Sequence, residues 1–289
     1  MSQEWTIRQA LFCLIGSTCF TLAVSLTGYF AWKEHQKGRL ESALYRILAI
    51  VQTGPEKEAL KTAYLAELLG LSADAPMPLY ALNLKKAEKD LLASPLIASA
   101  KVKRLPPSTL YIDYTVRKPI AWMADFKNIG VDREGYLFPI DPFLSPKKLP
   151  GIYLGLHAES GWKVEGPHFD LALGILQFLE TAPWKEGLQI LRIDVSNAFA
   201  PSLGQREIVL FTEEELSIRK ENQEIVCVFP KILRLAPKEY TQQLNNFFAL
   251  RRAMMDDYKR QIASVQQGGR FAPRIIDLRI PQLAFVEKG

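Results

Sequence analysis

Residues 98–116, ASAKVKRLPPSTLYIDYTV, decide the fold of the first half of the chain. Ala98 to Lys103 and Leu110 to Val116 alternate apolar and polar side chains with period two. They flank Leu105-Pro106-Pro107-Ser108, whose prolines cannot continue a ladder and so mark a turn. Upstream, Asn83 begins a helix in which Leu84, Ala87, Leu91 and Leu92 face inward, and Pro95 marks its end. Leu60, Tyr64, Leu65, Leu68 and Leu69 form a second amphipathic stripe over Lys57 to Leu71, and Tyr45 to Gln52 reads as a strand. The order is β-α-α-β-β, a small sheet covered by two helices.

Toward the N-terminus, Gln9 to Trp32 carries no formal charge over 24 residues and is bounded by Arg8 and Lys33. At 1.5 Å per residue this is roughly 36 Å of helix, enough to cross a hydrocarbon core of about 30 Å. Its length and its aromatic end, Tyr29, Phe30 and Trp32, fit an uncleaved anchor rather than a cleavable signal. Gly16, Ser17, Thr18, Thr21, Ser25, Thr27 and Gly28 either bond their own helix or form a partner-binding face. The positive-inside rule sets Arg8 and the α-amine against Lys33, Lys37, Arg39 and Arg46, and this count favours a cytoplasmic C-terminal body.

Beyond Lys118-Pro119 the pattern is strand-rich. Ile120 to Asp125, Ile129 to Val131 and Tyr136 to Pro139 form a meander, with Asp132-Arg133-Glu134-Gly135 as a glycine turn. Phe169 to Leu179 is a short helix. Leu188 to Val195, Glu207 to Phe211, Leu216 to Arg219 and Glu224 to Phe229 follow as strands. A long helix begins near Lys238, with Tyr240, Leu244, Phe247, Phe248, Met254, Met255, Tyr258 and Ile262 at spacings of three and four. Two strand-like pieces come last, Arg274 to Ile280 and Leu283 to Val286.

The chain has 289 residues, 36 Lys+Arg against 31 Asp+Glu and a formal charge of +5, too small and scattered an excess to mark a nucleic-acid binder. Cys13 and Cys19 lie in the apolar run and Cys227 in an apolar strand, so no disulfide framework or cysteine zinc site is expected. The three histidines, His35, His157 and His168, lack metal-ligand spacing. No nucleophile elbow, phosphate loop or dinucleotide fingerprint is present. Asp132/Glu134, Glu213/Glu214/Glu215 and Asp256/Asp257 read as solvated surface rather than as acid–base pairs. No catalytic residue, metal or cofactor is expected.

Val102-Lys103-Arg104-Leu105-Pro106-Pro107-Ser108-Thr109-Leu110-Tyr111-Ile112, running on to Arg117-Lys118-Pro119-Ile120-Ala121, resembles the FtsQ/DivIB family of bacterial division proteins. Val131 to Phe138, Leu149 to Tyr153 and Ile276-Asp277-Leu278-Arg279 keep the family order. The resemblance implies an α+β protein: cytoplasmic tail 1–8, transmembrane helix 9–32, juxtamembrane linker 33–44, POTRA domain 45–118 and C-terminal β domain 119–289 with two helices. It implies a cytoplasmic N-terminus, against the charge count, with a periplasmic body at the septum. It also implies a non-enzymatic scaffold that binds FtsB- and FtsL-type partners and helps regulate septal peptidoglycan synthesis by FtsW and FtsI. No nucleic acid or small-molecule substrate is implied. A POTRA-bearing translocation component or a membrane-anchored cell-wall enzyme are the alternatives.

Partner docking is expected by strand addition at the last strand. In Arg274 to Ile280, Ile276, Leu278 and Ile280 face the core while Ile275, Asp277 and Arg279 point outward; Leu283, Phe285 and Val286 add contact area. Pro281 lacks an N–H and interrupts the ladder.

Overall fold

A computed structural model describes residues 7–53, 58–156, 163–181, 187–220, 223–264 and 267–287. The chain divides into two compact units, 1–115 and 116–289. Helix α1 (Ile7–Glu41) opens the first. Among the described residues it is the one helix long and apolar enough to cross a membrane. Side chains 11–35 are exposed, as a lipid-facing helix requires. Ser17, Thr18, Thr21 and Thr27 return their hydroxyls to carbonyls three or four residues back at 2.8–3.4 Å, so these groups are satisfied within the helix. The expected linker after Trp32 is helical to Glu41, helped by the i,i+4 pair Lys37–Glu41 at 4.0 Å. Ser42 then caps a 3-10 turn, Ala43–Tyr45.

That turn displaces the first strand from its expected start at Tyr45: β1 spans Ala49–Thr53. Helix α2 (Thr62–Leu68) is shorter than the stripe suggested and is followed by Gly70 at φ +62°. Lys57, where the sequence placed its start, lies outside the described residues. Helix α3 (Leu84–Leu92) begins where Asn83 accepts the Lys86 N–H at 3.2 Å. Its buried residues are Ala87 and Leu91; Leu92, expected inside, is exposed because i,i+4 spacing already fills the contact line. Strands β2 (Ile97–Leu105) and β3 (Thr109–Val116) complete a sheet of order β1-β3-β2, with β1 parallel to β3. Leu60, Leu65, Leu79, Leu91, Leu96, Leu110 and Ile112 are its fully buried core. The Tyr114 hydroxyl knits it further, donating to Gln52 and accepting the Leu60 N–H at 2.9 Å.

In the second unit the strands are β4 (Ala121–Met123), β5 (Ile129–Val131), β6 (Leu137–Pro139) and β7 (Gly151–Tyr153), then helix α4 (Pro167–Thr181). Next come β8 (Leu188–Asp194), β9 (Ile208–Lys220), β10 (Gln223–Leu235), helix α5 (Tyr240–Ser264), β11 (Gly269–Arg270), β12 (Arg274–Asp277) and β13 (Phe285–Glu287). The sheet order is β13-β12-β10-β9-β8-β7-β4-β5-β6, with β11 also paired to β10. Strand β7 is short enough that periodicity alone did not reveal it. The turn after β5 forms as expected, with Gly135 at φ +84°. Its Asp132 is buried rather than solvated, accepting the N–H groups of Glu134 (3.1 Å) and Tyr136 (2.8 Å) and pairing with Arg117 at 3.0 Å.

The largest departure is β9. The sequence splits it into two strands around Glu213-Glu214-Glu215, yet it runs unbroken for 13 residues opposite the equally long β10. Residues of the two strands that share the inner face include Thr212, Glu214, Cys227, Phe229 and Lys231. Pro230 fits mid-strand because β10 changes neighbour there: Cys227 and Val228 pair with β11, and Lys231 to Arg234 with β12. The missing N–H falls in the gap between those two ladders. Helices α4 and α5 add Phe169, Ile175, Leu179, Leu244, Phe247 and Tyr258 to one hydrophobic core.

Candidate docking edge

Residues Arg274 to Asp277 do form a strand at the end of the sheet, but it is not the border. Strand β12 pairs with β10 on one side and with β13 on the other, in the register Ile275↔Glu287, Ile276↔Val286 and Asp277↔Phe285. The chain reverses between them through Pro281 and Gln282, the latter at φ +62°. The backbone of Ile275 and Asp277 is therefore flanked by the protein's own strands, and the sheet ends on β13. The proline that was expected to break the ladder sits in this reversal.

Among the core-facing residues, Ile276 and Leu278 are buried as expected; Ile280 is 61% exposed because the strand stops at Asp277 and the alternation ends with it. The outward charges are engaged within the chain. Arg279 pairs with Asp277 at 2.7 Å and with Glu207 at 3.3 Å, and Arg234 pairs with the same two carboxylates at 3.5 and 2.6 Å. Burial pushes the Asp277 carboxyl up, but the Arg279 guanidinium and N–H outweigh it and hold the group below the usual carboxylate range. Leu283 (65% exposed), Phe285 (71%) and Val286 (39%) remain on the surface at the border.

The sheet behind this border is braced by buried charge. Glu214 accepts from both Lys231 and Arg251, joining β9, β10 and α5; the side chains of Glu214 and Lys231 are 1% and 0% exposed. Arg270 pairs with Glu213, and Arg274 with Asp257 of α5 at 3.2 Å. Glu213 and Glu214 have the sequence signature of solvated surface, yet they are buried, because the fold brings Lys231 of β10, Arg251 of α5 and Arg270 of β11 against them. Burial lowers the affinity of Lys231 for its proton, while the Glu214 charge works against that shift.

Next to this cluster, Tyr258 stacks on Phe229 (4.1 Å between centroids), which stacks on Phe271 (4.5 Å). Lys231 Nζ and the Arg274 guanidinium lie 5.1 and 5.0 Å from the Tyr258 ring. The Tyr258 hydroxyl is buried and has no hydrogen-bond partner among the described residues. Burial pushes its pKa up to about 12 from an ordinary 10.0, with Arg274 pulling down and Glu214 and Asp257 pushing up. A raised folded-state pKa means that the unfolded chain loses its phenolic proton first, so this contribution is present below pH 10 and lost toward pH 12. Tyr258→Phe is expected to be neutral or stabilising by about 1 kcal/mol at pH 7. Its advantage over the natural chain should grow by about 2–3 kcal/mol between pH 10 and 12. Urea unfolding of both proteins across that range measures the difference.

Among the described residues, one helix of bilayer length and apolarity precedes a β-α-α-β-β unit and a mixed β domain, and that N-terminal helix suggests a single-pass membrane protein with a POTRA-type module. Residues 55–114 match the family model described as POTRA domain, FtsQ-type. This domain, behind the N-terminal apolar helix, fits the FtsQ/DivIB family, a divisome family of the inner membrane and of non-enzymatic scaffold kind. No curated protein matches the chain.

Proposed function

We propose that the protein is a non-enzymatic divisome scaffold that docks FtsB- and FtsL-type partners outside the cytosol and helps regulate septal peptidoglycan synthesis by FtsW and FtsI. In this reading residues 1–8 are cytoplasmic, 9–32 span the inner membrane, 33–44 link the anchor to the POTRA domain (45–118), and the C-terminal β domain (119–289) carries the docking edge. The observation that supports it most is the FtsQ-type POTRA match at 55–114 immediately behind a bilayer-length apolar helix. The partner strand adds to β13, and Ile280, Leu283, Phe285 and Val286 provide side-chain contact. A three-residue border offers roughly two to four backbone hydrogen bonds, each contributing about 0.5–1.5 kcal/mol net. The exposed apolar side chains therefore carry most of the affinity. Ile275, Asp277 and Arg279 act from behind, holding β12 in the register that presents β13.

The orientation is tested by an alkaline phosphatase fusion after Gly289. The expected result is an active phosphatase, folded and oxidised outside the cytosol. An inactive phosphatase together with a fluorescent cytoplasmic reporter at the same position contradicts the proposal and vindicates the positive-inside count.

A further inference from the structure

Past Trp32 the apolar run of α1 ends, yet the helix continues unbroken to Glu41, about 14 Å further. From Leu11 to Glu41 every side chain is exposed except Gln36 and Arg39, which lie three apart and so share one face. Arg39 is covered by the POTRA domain: its guanidinium lies 4.9 Å from the centre of the Tyr80 ring, and its Nε is buried. An aromatic face attracts a cation in this geometry. Tyr80 is itself held in place. Tyr45 meets it edge to face at 5.4 Å, and the Arg104 guanidinium lies 5.7 Å from its centroid, donating to the carbonyls of Leu79 (2.9 Å) and Leu82 (2.6 Å). The backbone between helix and domain is hydrogen-bonded step by step. The Ser42 N–H donates to the Gly38 carbonyl at 3.1 Å and the Tyr45 N–H to that of Ser42 at 3.2 Å. Tyr45 then accepts the Leu79 N–H at 2.6 Å, and the Ile47 N–H donates to Met77 at 2.9 Å.

We infer that α1 and the POTRA domain move as one body, clamped at their junction by Arg39 against Tyr80. Residues 33–41 are then a rigid stalk rather than a flexible tether, and the tilt and rotation of α1 in the bilayer set the orientation in which the domain is presented. A helix that packs against α1 within the membrane turns the POTRA domain with it. The inference rests on α1 spanning the bilayer and is independent of which proteins dock to the second unit.

The test uses the full chain in nanodiscs, with nitroxides coupled to p-acetylphenylalanine at the exposed positions of Glu34 on the stalk and Lys89 on α3, so that the natural cysteines stay in place. Pulsed electron double resonance is expected to give one narrow distance distribution. Arg39→Ala removes the clamp, keeps a strong helix former in α1 and leaves the buried core of the domain untouched. It is expected to widen the distribution about twofold, because the contact of Arg39 with the Tyr80 ring no longer holds the junction. As the reference for a free tether, about eight Gly/Ser residues inserted after Glu41 spread the distances over roughly 15 Å. A natural chain as broad as this reference overturns the one-body inference, and a narrow distribution that Arg39→Ala leaves unaltered overturns the clamp. A chain that fails to enter nanodiscs overturns the anchor on which both rest.

Discussion

Glu214→Ala is expected to destabilise the second unit by about 3–5 kcal/mol, because it leaves the fully enclosed Lys231 ammonium without its carboxylate. Lys231→Met should behave quite differently. It removes the buried charge together with its desolvation cost, leaves the Glu214–Arg251 pair in place, and is expected to alter stability by no more than about 1 kcal/mol. The pH dependence separates the two effects. Burial already depresses the Lys231 pKa below its ordinary 10.5, and without Glu214 the depression deepens. The unfolded chain then binds more protons than the folded one across the window below 10.5, so stability rises with pH through it. The Glu214→Ala deficit should therefore shrink from pH 7 toward pH 10. Urea unfolding at several pH values reads both the deficit and its slope.

Leu283→Glu combined with Phe285→Glu is expected to weaken capture of the FtsB-type segment by about a hundredfold or more, as removal of central apolar anchors does at small interfaces. Both side chains are largely exposed, so the double variant should unfold within about 0.5 kcal/mol of the natural protein. Arg279→Glu provides the contrast. Its partners are Asp277 and Glu207, so reversal places three carboxylates together at the base of β12 and lowers stability as well as binding. Titration of the immobilised full-length protein, with a melting curve for each variant, distinguishes loss of contact from loss of fold.

The parts of the fold that could be read from sequence are those in which local pattern and tertiary role agree. The charge-free run of α1, the helix start at Asn83, the stripe of α5 and the glycine turn at 132–135 each follow from propensity and spacing. Local pattern and structure part where distant residues decide the outcome. Glu213 and Glu214 look like a loop until Lys231, Arg251 and Arg270 are brought against them by strand register and helix packing. Pro230 looks like the end of a strand until β10 is seen to exchange β11 for β12 at that position. The docking border shows both sides of this. Leu283, Phe285 and Val286 fall in a strand-like piece and are exposed, but alternation leaves the free backbone on Arg274–Ile280, one strand further in than the end of the sheet. Nothing local to Arg274–Asp277 reveals that Phe285–Glu287 folds back to pair with it.

Amide hydrogen exchange of the full-length protein in nanodiscs, with and without the FtsB-type segment, tests strand addition most directly. Exchange at residues 285–287 is predicted to slow markedly on binding, because the outward N–H groups of β13 acquire carbonyl partners. Binding that leaves 285–287 exchanging at the unbound rate, with protection appearing elsewhere, would contradict a docking border at the end of this sheet.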